Sequence, residues 1–226
     1  MSVGAILLCA GKGQRLGLGV EKALEPLGGR PLFAWSLEAL QKTAAVHAIV
    51  VVGSVARLRD AALAAGIAPE KIAAWTEGGR ERQDSVAKGL AALPPEHDVV
   101  LVHDSARALA TPELIARVAA DTIAHGAAIA AVPLADTLKR ATLQNIDTTV
   151  PRAGLWCAQT PQGFRREWLE AAHATTAGKA TDDAALVEAL GKPVHLTMGD
   201  VRNFKITTPE DLELAEAWIQ RTGART

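Results

Sequence analysis

Short apolar runs alternate with helix-like segments through most of the chain. Four runs have the length and composition of buried strands: Val3 to Ala10, Ala48 to Val52, Val99 to His103 and Ala127 to Val132. Three segments between them have helical periodicity: Pro31 to Lys42, Val55 to Ala65 and Arg82 to Leu93. This alternation predicts an α/β fold, in which helices cover both faces of a mostly parallel, twisted sheet.

Three later helix starts have a threonine as the expected N-cap: Thr111, Thr181 and Thr208. Each precedes proline or acidic residues, which suit the first turn of a helix. After Thr181, we expect both Asp182 and Asp183 to serve the helix dipole.

The stretch from Asp136 to Arg152 is polar, rich in threonine and alternating in character. It has too few apolar residues for a core, so we expect a projecting β-hairpin arm. The chain has no internal repeat or linker, which favours one domain over residues 1–226 with 136–152 as an insertion.

Composition narrows the classes of partner. The 24 Lys and Arg residues are balanced by 25 Asp and Glu, and the chain has no tyrosine. Nucleic acid and anionic membranes are therefore not expected as partners. The first apolar run is too short to span a bilayer and lacks preceding basic residues, which favours a cytoplasmic protein. Cys9 and Cys157 lie in apolar surroundings without CxxC spacing and are expected to be buried free thiols.

A glycine-rich loop, LLCAGKGQRLG, follows the first strand. Backbone N–H groups at Gly11 and Gly13 could approach phosphate oxygens, while Arg15 and Lys22 add positive charge. Leu16 replaces the third glycine of the dinucleotide fingerprint, and the loop also lacks the GK[ST] of a P-loop. The pattern suits a triphosphate, although a simple turn remains an alternative.

Two further segments contain polar groups at element ends. In EGGRERQDSV, Gly79 precedes a helix whose first turn includes Arg82 and Ser85, which suits recognition of a base or simply a capped helix. In VVLVHDSAR, Asp104 ends a strand and is the candidate Mg²⁺ ligand, unless it only caps the following turn. His103 is interpreted as a packed residue.

Two late segments are uninformative on their own. PRAGLWCAQTPQGF contains Arg152 and Thr160, and NFKITTPEDLELAE contains Lys205 before a capped helix. We expect the large rings of Trp156 and Phe164 to anchor the core.

Taken together and in this order, these segments resemble the methylerythritol phosphate cytidylyltransferases of non-mevalonate isoprenoid biosynthesis. The resemblance also includes TDDAALVEALG and covers nearly the whole chain. It implies a Rossmann-like nucleotidyltransferase fold, a homodimer joined through the arm, and formation of CDP-methylerythritol and pyrophosphate from CTP and methylerythritol phosphate.

The resemblance also implies roles for individual residues. Arg15 and Lys22 would contact the triphosphate and the transition state, and Asp104 would bind substrate and Mg²⁺. Lys205 and Thr160 would hold methylerythritol phosphate. The residues expected to reach the partner subunit's site are Thr137 and Arg152. Those expected to frame the cytidine are Ala10, Gly11, Gly79 and Ser85.

Phosphoryl chemistry explains why cations dominate this set. A phosphate acceptor is already anionic and needs no protein base, so catalysis must rest on positioning and charge stabilisation. Two other readings remain open: a nucleotidyltransferase for another acceptor such as ribitol phosphate, and a non-catalytic nucleotide-binding protein. Composition does not choose CTP over UTP.

Overall fold

The computed structural model describes residues 1–11, 21–175 and 180–222. The strands in these ranges are β1 (Val3–Leu8), β2 (Pro26–Leu27), β3 (Arg30–Pro31), β4 (Val46–Val52), β5 (Ile72–Thr76), β6 (Val99–Asp104), β7 (Ala127–Pro133), β8 (Leu138–Thr142), β9 (Asn145–Val150), β10 (Trp156–Arg165) and β11 (His195–Met198). The α-helices are α1 (Leu32–Lys42), α2 (Val55–Ala64), α3 (Arg82–Ala92), α4 (Pro112–His125), α5 (Arg166–Thr175), α6 (Asp183–Ala189) and α7 (Pro209–Thr222). None of the helices in these ranges has the length and apolarity that a bilayer crossing needs.

Seven strands form the central sheet in the order β11-β7-β10-β6-β1-β4-β5. Strand β1 lies parallel to β4 and β6, β4 to β5, and β11 to β7. Strand β10 is antiparallel to both β6 and β7, so these two strands run in the same direction as β1. The prediction of a mostly parallel sheet is confirmed, with β10 as the exception.

Alternate residues of each central strand face opposite cores. In β1, Ala5 and Leu7 join a cluster that includes residues of α1, α2 and α4, whereas Ile6 and Leu8 join one that includes residues of α3, α5 and α6. Both faces are therefore covered by helices, as predicted. Burial on both sides explains why these strands are apolar throughout rather than alternating.

Element ends differ from the predicted bounds by one or two residues. The first strand ends at Leu8 rather than Ala10, while β6 extends to Asp104 because Leu8 and Asp104 still pair. Helix α3 ends at Ala92, since Leu93 has an extended backbone. The predicted strand from Ala48 begins earlier, at Val46.

Two of the three predicted threonine caps are confirmed. The hydroxyl of Thr111 accepts a hydrogen bond from the Leu114 N–H at 3.3 Å, and that of Thr208 accepts one from Asp211 at 3.3 Å. The third prediction is wrong. Asp182, not Thr181, caps α6 by accepting from the Ala185 N–H at 3.0 Å.

Two predictions of burial are wrong, and both concern the start of β10. Cys157 is exposed, and Trp156 is 38% exposed rather than anchored in the core. Both residues pair with β7 alone, before β10 reaches β6 and the helical layers. The predicted burial of Phe164 and Cys9 is confirmed. Phe164 is fully buried, and burial raises the pKa of the Cys9 thiol to about 12.

The stretch from Asp136 to Arg152 contains the predicted hairpin. Strands β8 and β9 pair antiparallel with Leu138 opposite Val150, and they form a separate two-stranded sheet. The turn places Leu143 at φ 55°. Both strands are exposed along nearly their whole length, and so are the apolar side chains of Leu143 in the turn and Ile146 in β9.

Candidate active site

A cavity of about 450 Å³ lies beyond the carboxyl ends of β1 and β6. This is where ligands bind in open α/β sheets. Seven of the predicted site residues line it: Ala10, Gly11, Lys22, Gly79, Ser85, Asp104 and Lys205. The structure therefore brings together residues from four separate sequence segments around one space.

The entry and exit of the glycine loop meet at this cavity. The Lys22 N–H donates to the carbonyl of Gly11 at 3.2 Å, which closes the base of the loop. Arg15 and Gly13, two predicted triphosphate contacts, lie outside the described residues.

The Gly78–Gly79 turn packs tightly between the first strand's end and α3. A Cβ on Gly78 would collide with the Ala10 side chain, and one on Gly79 would collide with Asp84. The Gly79 N–H donates to the Ser85 hydroxyl at 2.9 Å. The capped-helix interpretation is confirmed, because Glu81 and Asp84 form a capping box at the start of α3.

Asp104 is the centre of the charged groups in the site. One carboxylate oxygen accepts from Arg82 Nε at 3.3 Å, and the other accepts from Lys205 Nζ at 2.7 Å. Burial disfavours the charged form, but Arg82 and Lys205 outweigh it and hold the pKa of Asp104 far below its usual range. The carboxylate thus stays ionised and binds cations instead of capping the following turn.

Arg82 is a site residue to which the sequence analysis gave no definite role. Its Nη1 donates to Asp183 at 2.7 Å, and Asp183 is only 1% exposed. His173 Nε2 contacts the other oxygen of Asp183 at 3.0 Å. Asp183 lies in the first turn of α6, as the helix-dipole expectation requires, and its carboxylate also bridges two side chains. The sequence did contain a hint of this role, because TDDAALVEALG has a second aspartate, Asp183, and Asp182 alone is enough to cap α6.

One donor of Arg82 remains available. Its Nη2 is buried and has no hydrogen-bond partner among the described residues. The charges of Asp183 and Asp104 overcome the effect of burial and raise the pKa of the guanidinium, so Arg82 is always protonated. A buried guanidinium donor without a partner suits an anionic ligand.

A second cavity of about 240 Å³ adjoins the first. Its lining residues that do not belong to the first cavity are Arg107, Ala158, Gln159, Thr160, Gln162, Thr181 and Asp182. Arg82, Asp104 and Lys205 line both cavities. These three charged side chains therefore form a common wall between two spaces.

Thr160 lines the second cavity, but its hydroxyl already supports β6. It accepts from the Asp104 backbone N–H at 3.0 Å and lies 3.0 Å from His103 Nδ1. His103 is fully buried, and burial lowers its pKa to about 4. The interpretation of His103 as a packed residue is confirmed.

Thr137 and Arg152 line neither cavity of this chain. Both are exposed at the base of the arm, where the Arg152 guanidinium donates to the carbonyl of Ala135. The structure does not bring them to the other predicted residues within one subunit.

The donor set at Asp104 fits one Mg²⁺. Mg²⁺ is commonly held by one or two carboxylates together with substrate phosphates and water. Each carboxylate oxygen has two acceptor sites, so the bonds from Arg82 and Lys205 leave capacity for a metal. Asp104 also lines the cavity that Gly11 and Lys22, at the two ends of the glycine-rich loop, border.

Comparisons with known proteins agree with this geometry. Residues 3–221 match the family described as 2-C-methyl-D-erythritol 4-phosphate cytidylyltransferase. Proteins of that name from Gloeobacter violaceus and Frankia casuarinae are 44% and 47% identical, over 95% and 97% of this chain and 95% and 82% of theirs. The crystal structure from Thermus thermophilus superposes with a TM-score of 0.79 at 36% identity, covering 97% of this chain and all of the other. The chain belongs to the 2-C-methyl-D-erythritol 4-phosphate cytidylyltransferase family.

Proposed function

We propose that this chain transfers the cytidylyl group across the wall formed by Arg82, Asp104 and Lys205, from CTP in the larger cavity to methylerythritol phosphate in the smaller one. The reaction is that of its family, and its products are CDP-methylerythritol and pyrophosphate. The observation that carries the assignment of sites is the common wall, because a group transfer needs both substrates within reach of the same charges.

The reaction is a displacement at the α-phosphorus of CTP. A phosphate oxygen of the acceptor forms the new P–O bond, and the bond to the pyrophosphate breaks. The acceptor oxygen is already anionic, so no residue must remove a proton. Repulsion between the two anions is the main obstacle, and fixed cations lower it most effectively where water is excluded.

The larger cavity would hold CTP. The cytidine would lie against Ala10, Gly11, Gly79 and Ser85, and Lys22 would contact the triphosphate. Arg15 and Gly13 would complete the triphosphate site from the glycine loop. Backbone N–H groups of such a loop match phosphate oxygens, and the lysine stabilises charge as it builds on the α-phosphate.

Asp104 would hold Mg²⁺ together with the triphosphate. When bound, the ion supplies positive charge beside the phosphates and fixes their orientation. Lys205 is bonded to the same carboxylate, so its ammonium group is directed along the wall and can hold the acceptor phosphate with Thr160 nearby.

Arg82 would act as a further cation at the wall. Asp183 and Asp104 fix two of its nitrogens, which leaves the buried Nη2 as the group free to meet a substrate phosphate. A guanidinium held in this way loses little conformational freedom when the phosphate binds.

The arm would join two subunits, and Thr137 and Arg152 would enter the partner's acceptor cavity. Exposed apolar side chains of the arm, among them Leu143 at 95% and Ile146 at 64% exposure, support an interface there. The whole chain would act as one domain, with residues 136–152 as its arm, in the cytoplasm.

Pyrophosphate release tests the assignment. The four nucleoside triphosphates are each combined with methylerythritol phosphate and with ribitol phosphate, in the presence of Mg²⁺. CTP with methylerythritol phosphate should give the highest kcat/KM. A tenfold preference for another pair would replace the substrates named here, and no release with any pair would indicate a binding protein without catalysis.

A further inference from the structure

Three side chains with metal-binding atoms meet far from the active site. Asp121 and His125 lie four residues apart in the last two turns of α4, so they share one face of the helix. His195, the first residue of β11, faces them from the edge strand. One ligand atom from each residue lies within 4.8 Å of the others.

Packing holds these side chains in place. The Thr197 hydroxyl donates to Asp121 Oδ2 at 2.6 Å, and the rings of His125 and His195 stack with centroids 4.1 Å apart and planes inclined by 14°. Nearby, Arg117 bonds the carbonyl of Met198 at 3.3 Å and ties the same helix to the same strand. A hydrogen bond to a ligating carboxylate is the usual outer support of a metal site.

We propose that Asp121, His125 and His195 form a binding site for a transition-metal dication of the Zn²⁺ class. Two imidazoles and one carboxylate are the ligand types that Zn²⁺, Ni²⁺ and Cu²⁺ prefer, whereas Mg²⁺ and Ca²⁺ select oxygen ligands. The negative end of the α4 dipole adds to the attraction for a cation at His125.

The distances suit closure around an ion. His195 Nε2 lies 4.0 Å from Asp121 Oδ2. Ligand atoms about 2.0 to 2.1 Å from a tetrahedral ion are about 3.3 Å apart. Closing the site requires side-chain rotations that also move the two imidazole rings out of their stacked arrangement, because their lone pairs lie in the ring planes. The side chains are 34% exposed at Asp121 and 42% at His195, which permits that movement and admits water as a fourth ligand.

The site lies on the edge strand β11, three strands away from β6 and the charges at Asp104. His195 pairs with Ala128 at the start of β7, and β7 runs in the same direction as β6, which ends at Asp104. Ala128 is level with Leu101 of β6 through Gly163 of β10, which is three residues before Asp104. Three strand spacings of about 4.8 Å and three steps of about 3.3 Å along a strand therefore separate His195 from Asp104 by about 17 Å. The ion would therefore cross-link α4 to β11 and would not take part in cytidylyl transfer.

Direct metal binding tests the proposal. The full chain without an affinity tag is stripped with a chelator, dialysed, and titrated with ZnCl₂ in a calorimeter in the presence of Mg²⁺. We expect one Zn²⁺ per chain. His125→Ala and His195→Ala should each weaken binding at least about tenfold. Asp121→Asn should do the same.

His47→Asn is the matched control. His47 is a surface histidine on β4, and the asparagine oxygen can still accept the bond from the Val3 N–H. It should bind Zn²⁺ as the wild type does. Titration with Co²⁺, whose visible absorption reports its ligands, should rank the wild type and the variants in the same order of metal affinity. Absence of Zn²⁺ binding by the wild type, or binding that survives all three cluster substitutions, would overturn the proposal.

The activity assay separates this site from the catalytic one. Mg²⁺-dependent pyrophosphate release should be unchanged in His125→Ala, whereas added Zn²⁺ should raise the Tm of the wild type and leave that of the variant unaltered. Loss of activity in the variant at unchanged Tm would contradict a site that is separate from catalysis.

Discussion

Replacing Asp183 by Asn should lower kcat while leaving substrate binding nearly unchanged. Asp183 holds the guanidinium of Arg82 at 2.7 Å and is itself 1% exposed. The amide keeps the size of the side chain but removes its charge and part of its acceptor capacity. Arg82 would then be fixed by Asp104 alone, through a longer contact of 3.3 Å.

The expected fall in kcat follows from the displacement of the Arg82 guanidinium. A displacement of about 1 Å in a catalytic group costs about 100-fold in rate, so we expect kcat to fall by about that factor. KM for CTP should change less than threefold, because Asp183 lines neither cavity. Losing charge-assisted hydrogen bonds should also lower the free energy of unfolding by about 1.5 to 3 kcal/mol.

Glu38→Gln provides the control for stability. Glu38 bridges two cations, Arg30 at 2.6 Å and Lys42 at 2.5 Å, and lies away from both active-site cavities. It should retain the wild-type kcat. Asp183→Glu keeps the negative charge, so its kcat should be at least about tenfold higher than that of Asp183→Asn. This difference is expected if the loss of rate comes from the missing charge and not from a disturbed fold.

Steady-state pyrophosphate release gives kcat and KM, and thermal unfolding shows that each variant is folded at the assay temperature. The reasoning fails if folded Asp183→Asn keeps a kcat within threefold of Glu38→Gln. It also fails if the whole effect lies in KM for CTP.

Three further outcomes are expected. Lys22→Ala should lower kcat by about two to three powers of ten, the cost of one preorganised electrostatic contact, and a change below threefold would exclude that role. Arg152→Ala should mainly raise KM for methylerythritol phosphate, and mixing it with the Lys22 variant should restore some activity if the arm is exchanged; no recovery would count against a shared site. His103 has a pKa of about 4 in the folded protein against 6.5 ordinarily, so the unfolded state binds more protons in that window. Unfolding free energy should therefore fall by up to about 3 kcal/mol between pH 7 and pH 4 in urea titrations, and His103→Asn should flatten this slope.

The sheet was predictable because its signal is local. Strands buried on both faces are apolar throughout, so β1, β4, β6 and β7 were located within two residues. Strands β5 and β11 at the two edges of the sheet were not predicted, because they are only partly buried and lack a continuous apolar run. Strand β10 was also missed, because LWCAQTPQGF mixes polar and apolar residues around a proline. Its exposed beginning, which pairs with β7 alone, also explains the errors at Trp156 and Cys157.

The site was predictable to the extent that its residues end strands or border glycines. Asp104, Lys22 and Lys205 were named from the sequence, but the pairing of Asp104 with Arg82 and Lys205 was not. Arg82 and Asp183 are 101 positions apart, and neither stands out in its own segment. Their pairing depends on how α3 and α6 pack on the same face of the sheet, and no local pattern encodes this.

The common wall has a consequence for how acceptor preference can change. Gln159, Gln162 and Thr181 contribute only to the smaller cavity, and they come from β10 and the segment before α6. With CTP and the acceptor placed as proposed, substitutions there would reshape the space for the alditol chain without altering the described side chains that line the nucleotide cavity. Choice of acceptor and choice of base would then be separable, and among the described residues the three wall residues alone would serve both requirements.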